Sequence, residues 1–192
     1  MTREEKIKLL EDAQVLQTGH FRLTSGRHSD KYMQCARVFE DAKYAEPICK
    51  DIADAFRDEK IDLVIGPAIG GVIITYEVAR QLGVRNIFAE RENGVMTLRR
   101  GFAVEPGSRV LVVEDTITTG GSVKEVIALV KEKGGVVVGA GSVVDRSNGT
   151  VDFGVPLHAA VSMEVISYEE ADCPLCKQGL PVIKPGSRVF NK

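Results

Sequence analysis

Glu114 and Asp115 stand side by side and run directly into Thr116-Ile117-Thr118-Thr119-Gly120-Gly121-Ser122. Paired carboxylates suit the hydroxyl groups of a sugar, or a divalent cation held beside them. Thr118–Ser122 offers backbone N–H groups with no bulky side chain in the way. Where such a run opens a helix, the unpaired amides and the helix dipole favour a phosphate. A strand-to-helix turn with Ser and Thr caps would account for the small residues alone. It leaves the two carboxylates unexplained, and together the two features point to a phosphorylated sugar.

Other groups capable of chemistry are spread along the chain. Gly66-Pro67-Ala68-Ile69-Gly70-Gly71 is a second glycine-rich turn and a second candidate for anion binding. Arg91, Arg99 and Arg100 flank Asn93-Gly94, a strong hairpin signal, so that the 91–102 stretch reads either as a basic lid or as an exposed hairpin. Leu23–Tyr32 is dense in donors and fits equally a ligand segment or a solvated connection. Asp145-Arg146 closes a long apolar run. Cys173-Pro174-Leu175-Cys176 has the spacing of half a zinc site. With no second pair evident, it reads as a reduced structural pair, a zinc shared through a dimer being the alternative. His28 reads as a surface neighbour of the ligand segment, and His20 and His158 carry no assigned role.

Alternating helices and strands must position these groups. Thr2–Leu16 has helical spacing of Ile7, Leu10, Ala13 and Leu16, and Ala42–Glu59 repeats the pattern with Ile48, Ile52 and Phe56. Leu63–Ile65, Asn86–Glu90, Val110–Val113, Val136–Val144 and Leu157–Met163 read as strands. Helices are expected from the second glycine turn to about Leu82 and from Val123 to about Gly134. Ser167-Tyr168-Glu169-Glu170 suggests a capping box opening a short helix, followed by an irregular tail. The whole predicts an α/β fold, a doubly wound and mostly parallel sheet in which ligands bind beyond the carboxyl ends of the strands. The loops at 66–71, 91–102, 114–122 and 145–146 converge there.

Bulk properties bound the function. At 192 residues, one domain over 1–192 is expected, with a small hood from about 1–40 and 167–192. A formal net charge of -2 argues against general nucleic-acid affinity. No apolar run approaches membrane-spanning length, the first residues are too polar for a signal peptide, and four cysteines are too few for a disulfide framework. A cytoplasmic setting follows as the expectation.

At Val110–Ser122 the chain resembles the diphosphate-sugar motif of the type I phosphoribosyltransferases, and over nearly its full length it is similar to the orotate-using branch of that family. The resemblance implies phosphoribosyl pyrophosphate (PRPP) and orotate as substrates, Mg2+ acting mainly through PRPP and water with no assigned protein ligand, and a homodimer. It implies that Ala68, Ile69, Gly70, Gly71 and Arg91 meet the pyrophosphate. Glu114 and Asp115 would hold the ribose hydroxyls, with Thr116 and Ile117 beside them, and Thr118, Thr119, Gly120, Gly121 and Ser122 would cradle the 5′-phosphate. Ser25, Gly26, Arg27, Tyr32, Thr118 and Arg146 would meet the base, and Asp115, Arg99 and Arg100 are the expected catalytic residues. The chain departs from the family pattern at Thr24 and Gly70, where lysine is frequent, and in the composition of the 92–102 loop. A purine or other base, and a non-catalytic PRPP sensor, are the alternative readings.

Overall fold

The structure is a computed structural model and describes residues 1–23 and 25–185. Thr24 and the end of the tail, 186–192, lie outside it. The elements in order are α1 (Arg3–Asp12), β1 (Leu16–Arg22), β2 (His28–Met33), α2 (Ala42–Ala55), β3 (Leu63–Pro67), α3 (Gly71–Leu82), β4 (Arg85–Glu92) and β5 (Val95–Thr97). They continue with β6 (Arg109–Ile117), α4 (Gly121–Glu132), β7 (Val136–Asp145), β8 (Leu157–Ser162) and α5 (Pro174–Lys177).

The central sheet has the order β5-β4-β3-β6-β7-β8, parallel throughout except for the β4–β5 hairpin. β6 is buried on both faces: Leu111 and Val113 join one apolar cluster with Ile48, Ile52, Ile74 and Val78, while Val110 and Val112 join another with Val123, Val126 and Val130. That double burial is why the strand reads as a continuous aliphatic run. Each such side chain contributes about 1.5–3 kcal/mol of burial free energy.

From β3 the chain crosses to β4 on one side and later to β6 on the other. The strand order therefore reverses between β3 and β6, and a crevice opens beyond their carboxyl ends. Among the described residues, no helix is long and apolar enough to cross a membrane.

Several boundaries differ from the sequence expectation. α1 stops at Asp12 because the chain turns at Gln14, whose φ is +55°, and Leu16 already belongs to β1. β6 runs on to Ile117, so Glu114 and Asp115 lie within a strand paired to β7 and not beyond its end. α4 opens at Gly121, two residues earlier than Val123. His28–Tyr32 forms the second arm of an antiparallel β1–β2 hairpin, in keeping with the short hairpin or loop expected of this polar stretch. Ser167 caps no helix; the short 3-10 turn that follows is Glu170–Asp172, capped by no side chain.

Candidate active site

The crevice is built from two strand-to-helix turns that touch. A Cβ placed on Gly70 would sit 2.9 Å from Asp115 Oδ1, so the loop after β3 lies against the carboxylate on β6. Gly66 is equally confined: a Cβ there would fall 2.4 Å from Thr75 Oγ1 and 2.5 Å from the Val113 carbonyl oxygen. Glycine lets α3 pack close to the sheet and brings its N-terminus to the crevice.

The second turn is the amide-rich one. Gly120 precedes α4 with φ +72°, and a Cβ on it would fall 2.7 Å from Val151 and 2.8 Å from Phe153. Both the backbone conformation and the space require glycine. No side chain caps α4, so its first-turn amides face the crevice side unpaired by a cap. Arg91, Glu114, Thr116, Thr118, Thr119, Gly120, Gly121, Ser122 and Glu125 line a polar cleft of about 430 Å3.

Electrostatics single out the carboxylate pair. Burial, reinforced by Asp115 and opposed by Arg91, pushes the Glu114 carboxyl up to about 7. Burial also raises Asp115, against backbone N–H donation from Thr116 and from Asp115 itself. Oxygen donors held this way are short of positive charge. They fit hydroxyl donors or a hydrated hard cation.

Arg91 closes one rim. It forms an ion pair with Glu125 of α4 at 2.6 Å and donates to the Gly94 carbonyl at 3.1 Å, tying the hairpin tip to the phosphate-turn helix. Glu125 was not singled out in the sequence, where it is one more acidic residue on an amphipathic helix. Arg99 and Arg100 do not line the cleft. Arg100 forks onto Glu90 at 2.8 and 2.9 Å, and Arg99 lies 3.5 Å from Glu92.

On the other side, Arg146 follows β7, its backbone N–H donating to the Ile117 carbonyl at 2.8 Å. Its Nε is buried and has no hydrogen-bond partner among the described residues. The Cys35 thiol, just after β2, is pushed up to about 12 by burial, with the neighbouring Thr116 side chain acting against the shift, so the base of the hairpin abuts the cleft. The hairpin loop itself is fastened to the tail. Arg27 donates to the Ser167 hydroxyl at 2.9 Å and to its carbonyl at 2.7 Å, and pairs with Glu169. Ser25 Oγ accepts from the Arg27 amide, Gly26 takes φ +86°, and Tyr32 packs on Phe21.

His28 departs furthest from expectation. His28 is 2% exposed and His20 4%, so neither is a surface residue, and both lie beside Cys173 and Cys176. The second half of the Cys173/Cys176 cluster is supplied by the hairpin.

Residues 39–153 match the family model of the phosphoribosyl transferase domain. The chain is 60% identical to the orotate phosphoribosyltransferase of Pelotomaculum thermopropionicum, over 98% of this chain and 99% of that one. It is 55% identical to that of Thermotoga maritima, over 94% and 97%. Among solved structures it is similar to orotate phosphoribosyltransferase from Mycobacterium tuberculosis H37Rv in complex with inorganic phosphate. There the TM-score is 0.67 at 26% identity, covering 83% of this chain and 96% of that one. The crevice at the strand-order reversal, its amide-lined helix terminus and these full-length likenesses agree: the chain belongs to the phosphoribosyltransferase family, among the orotate phosphoribosyltransferases.

Proposed function

We propose that this chain transfers the phosphoribosyl group of PRPP to orotate, giving orotidine 5′-monophosphate and pyrophosphate in pyrimidine biosynthesis. The observation that carries this reading is the convergence of the uncapped α4 terminus, the half-buried carboxylate pair and the glycine loop of α3 in one crevice. The relatives' names supply the base.

In this reading the amides of Thr118–Ser122 hold the 5′-phosphate, and Glu114 and Asp115 accept from the ribose hydroxyls. Thr116 and Ile117 continue that wall. Ala68–Gly71 and Arg91 meet the pyrophosphate. Ser25, Gly26, Arg27, Tyr32 and Thr118 enclose the base, and the Arg146 guanidinium, whose Nε is left without a partner, takes its carboxylate in a two-point contact. The acidic, oxygen-only donor set suits Mg2+ reached through water and PRPP, and when bound Mg2+ neutralises the leaving pyrophosphate.

Bond cleavage at the anomeric carbon leaves positive charge on the sugar and negative charge on pyrophosphate. Fixed donors to the leaving group then matter more than a strong base. Arg99 and Arg100 would supply this charge on lid closure, with Asp115 steadying the ribose. A second copy of the chain is the proposed partner, docking on the exposed Ile73 and Tyr76 of α3 and on Ile69 in the loop that leads into it. A cytoplasmic setting fits four free cysteines.

The test is a panel of bases with PRPP and Mg2+, following orotate by its absorbance. Orotate consumption with pyrophosphate release is expected. Turnover of another base with orotate untouched overturns the assignment. PRPP binding without turnover of any base would instead indicate a sensor.

A further inference from the structure

We propose that His20, His28, Cys173 and Cys176 form a structural zinc site that fastens the C-terminal segment to the β1–β2 hairpin. The four side chains come from opposite ends of the chain, and their candidate ligand atoms all lie within 4.8 Å of one another. His20 Nε2 is 3.0 Å from His28 Nδ1, 3.5 Å from Cys173 Sγ and 3.7 Å from Cys176 Sγ. Cys176 Sγ is 3.2 Å from His28 Nδ1. A zinc tetrahedron with ordinary bond lengths has edges of about 3.3 Å between nitrogens, about 3.5 Å from nitrogen to sulfur and about 3.8 Å between sulfurs. These four separations lie within about 0.4 Å of such edges, and the two remaining pairs fall inside the 4.8 Å span, so small side-chain shifts would close the tetrahedron.

Proton bookkeeping points the same way. His20 Nδ1 lies 2.8 Å from the Leu180 carbonyl oxygen, which can only accept, so Nδ1 carries the proton. Nε2 then presents a single lone pair inward. Three groups crowd around it, more than one lone pair can serve as hydrogen-bond acceptor. A cation at the centre uses every inward lone pair at once. The carbonyl contact is also the kind of outer partner that fixes the tautomer of a ligating histidine.

Donor chemistry selects the metal. Two thiolates and two imidazoles in a closed tetrahedral arrangement suit zinc, and four protein ligands leave no open position for catalysis. The thiolates neutralise the ion's charge, so loading releases up to two protons from the two thiols. The environment is enclosed: Cys173 is fully buried, the two histidines nearly so, and Cys176 half-buried. Pro174 at the first position of α5 sets up the tight turn between the cysteines.

The site would add a metal staple to contacts already binding the same two segments. These are the backbone bridges His28–Tyr168 and Phe21–Ile183, and the Arg27 clamp on Ser167 and Glu169. The inference rests on this cluster alone and is independent of the reaction.

The test is metal analysis of the full chain purified without chelator or metal-affinity resin under reducing conditions, together with cobalt(II) loading of the same protein. About one zinc per chain is expected. Cobalt should give the intense visible bands of tetrahedral thiolate coordination. Chelation should lower the melting temperature by roughly 5–10 °C. Cys173→Ser/Cys176→Ser should bind neither metal. Should that variant fail to fold, the cobalt spectrum of the unaltered chain decides alone. Metal-free protein that takes up neither zinc nor cobalt overturns the site, as does a Cys173–Cys176 disulfide in protein handled without oxygen.

Discussion

At the scale of single residues, the cleft holds groups in states they would not adopt in water. Glu114 is the clearest. Its carboxyl ionises near 7 in the folded chain, against 4.5 when unperturbed, so the folded state retains a proton that the unfolded chain gives up. The stability this lends is fully present below about 4.5 and is lost as pH rises through about 7. Because Glu114 is only partly buried, the cost of ionising it at pH 8 is on the order of 2 kcal/mol. Glu114→Gln without substrate should therefore melt about 5 °C higher than the parent at pH 8 and nearly level with it at pH 4.5. Equal melting differences at both pH values would dissociate Glu114 from that ionisation. Gly120 makes the opposite case, a residue needed for what it lacks. Its φ of +72° and the neighbouring Val151 and Phe153 leave no room for a methyl group. Gly120→Ala should destabilise the fold by about 1–3 kcal/mol. By twisting the phosphate turn, it should raise KM for PRPP more than it lowers kcat. A variant with parental KM would show that the turn's amides do not hold the phosphate.

At the scale of elements, the β4–β5 hairpin carries its cations in exposed ion pairs. Arg100 on Glu90 and Arg99 near Glu92 are solvent-exposed pairs of little net strength, so releasing them toward a bound pyrophosphate costs little. A charge arriving only in the transition state can contribute on the order of 3 kcal/mol. Arg99→Ala/Arg100→Ala should then cut kcat by about 100-fold, with the melting temperature almost unmoved. Unchanged turnover would remove both residues from the mechanism. This hairpin was legible in the sequence because Asn93 and Gly94 both take positive φ, which few residue pairs tolerate. The buried strands were legible because apolar side chains on both faces leave no alternation to misread. The end of β6 was not: Glu114 and Thr116 look like loop residues until β7 sets Ser142 and Val144 opposite them. The Arg27 clamp and the burial of the two histidines were not legible for a related reason. Their partners lie about 140–160 residues away, across a contact that no local pattern records.

At the scale of the molecule, the question is whether one chain makes a complete site. Ile73 and Tyr76 lie one turn apart on α3, Ile69 sits in the loop leading into it, and all three are more than half exposed beside the cleft. An apolar stripe there suits a two-fold interface. Docking across it would bring a second chain close to the crevice, and the lid of one subunit could then serve the cleft of the other. Two inactive chains can test this. One lacks the lid charges, Arg99→Ala/Arg100→Ala; the other has a disabled cleft, Asp115→Asn. If the lid acts in trans, each mixed dimer assembles one site with both an intact lid and an intact cleft. Random reassortment makes half the dimers mixed, so activity should return to about a quarter of the parental value. A lid acting within its own chain leaves every site with one defect, and mixing restores nothing. Tyr76→Glu supplies the control: it should convert the sedimenting species to monomer and abolish the complementation. A dimer that survives Tyr76→Glu would move the interface away from α3 while leaving the complementation result to stand on its own.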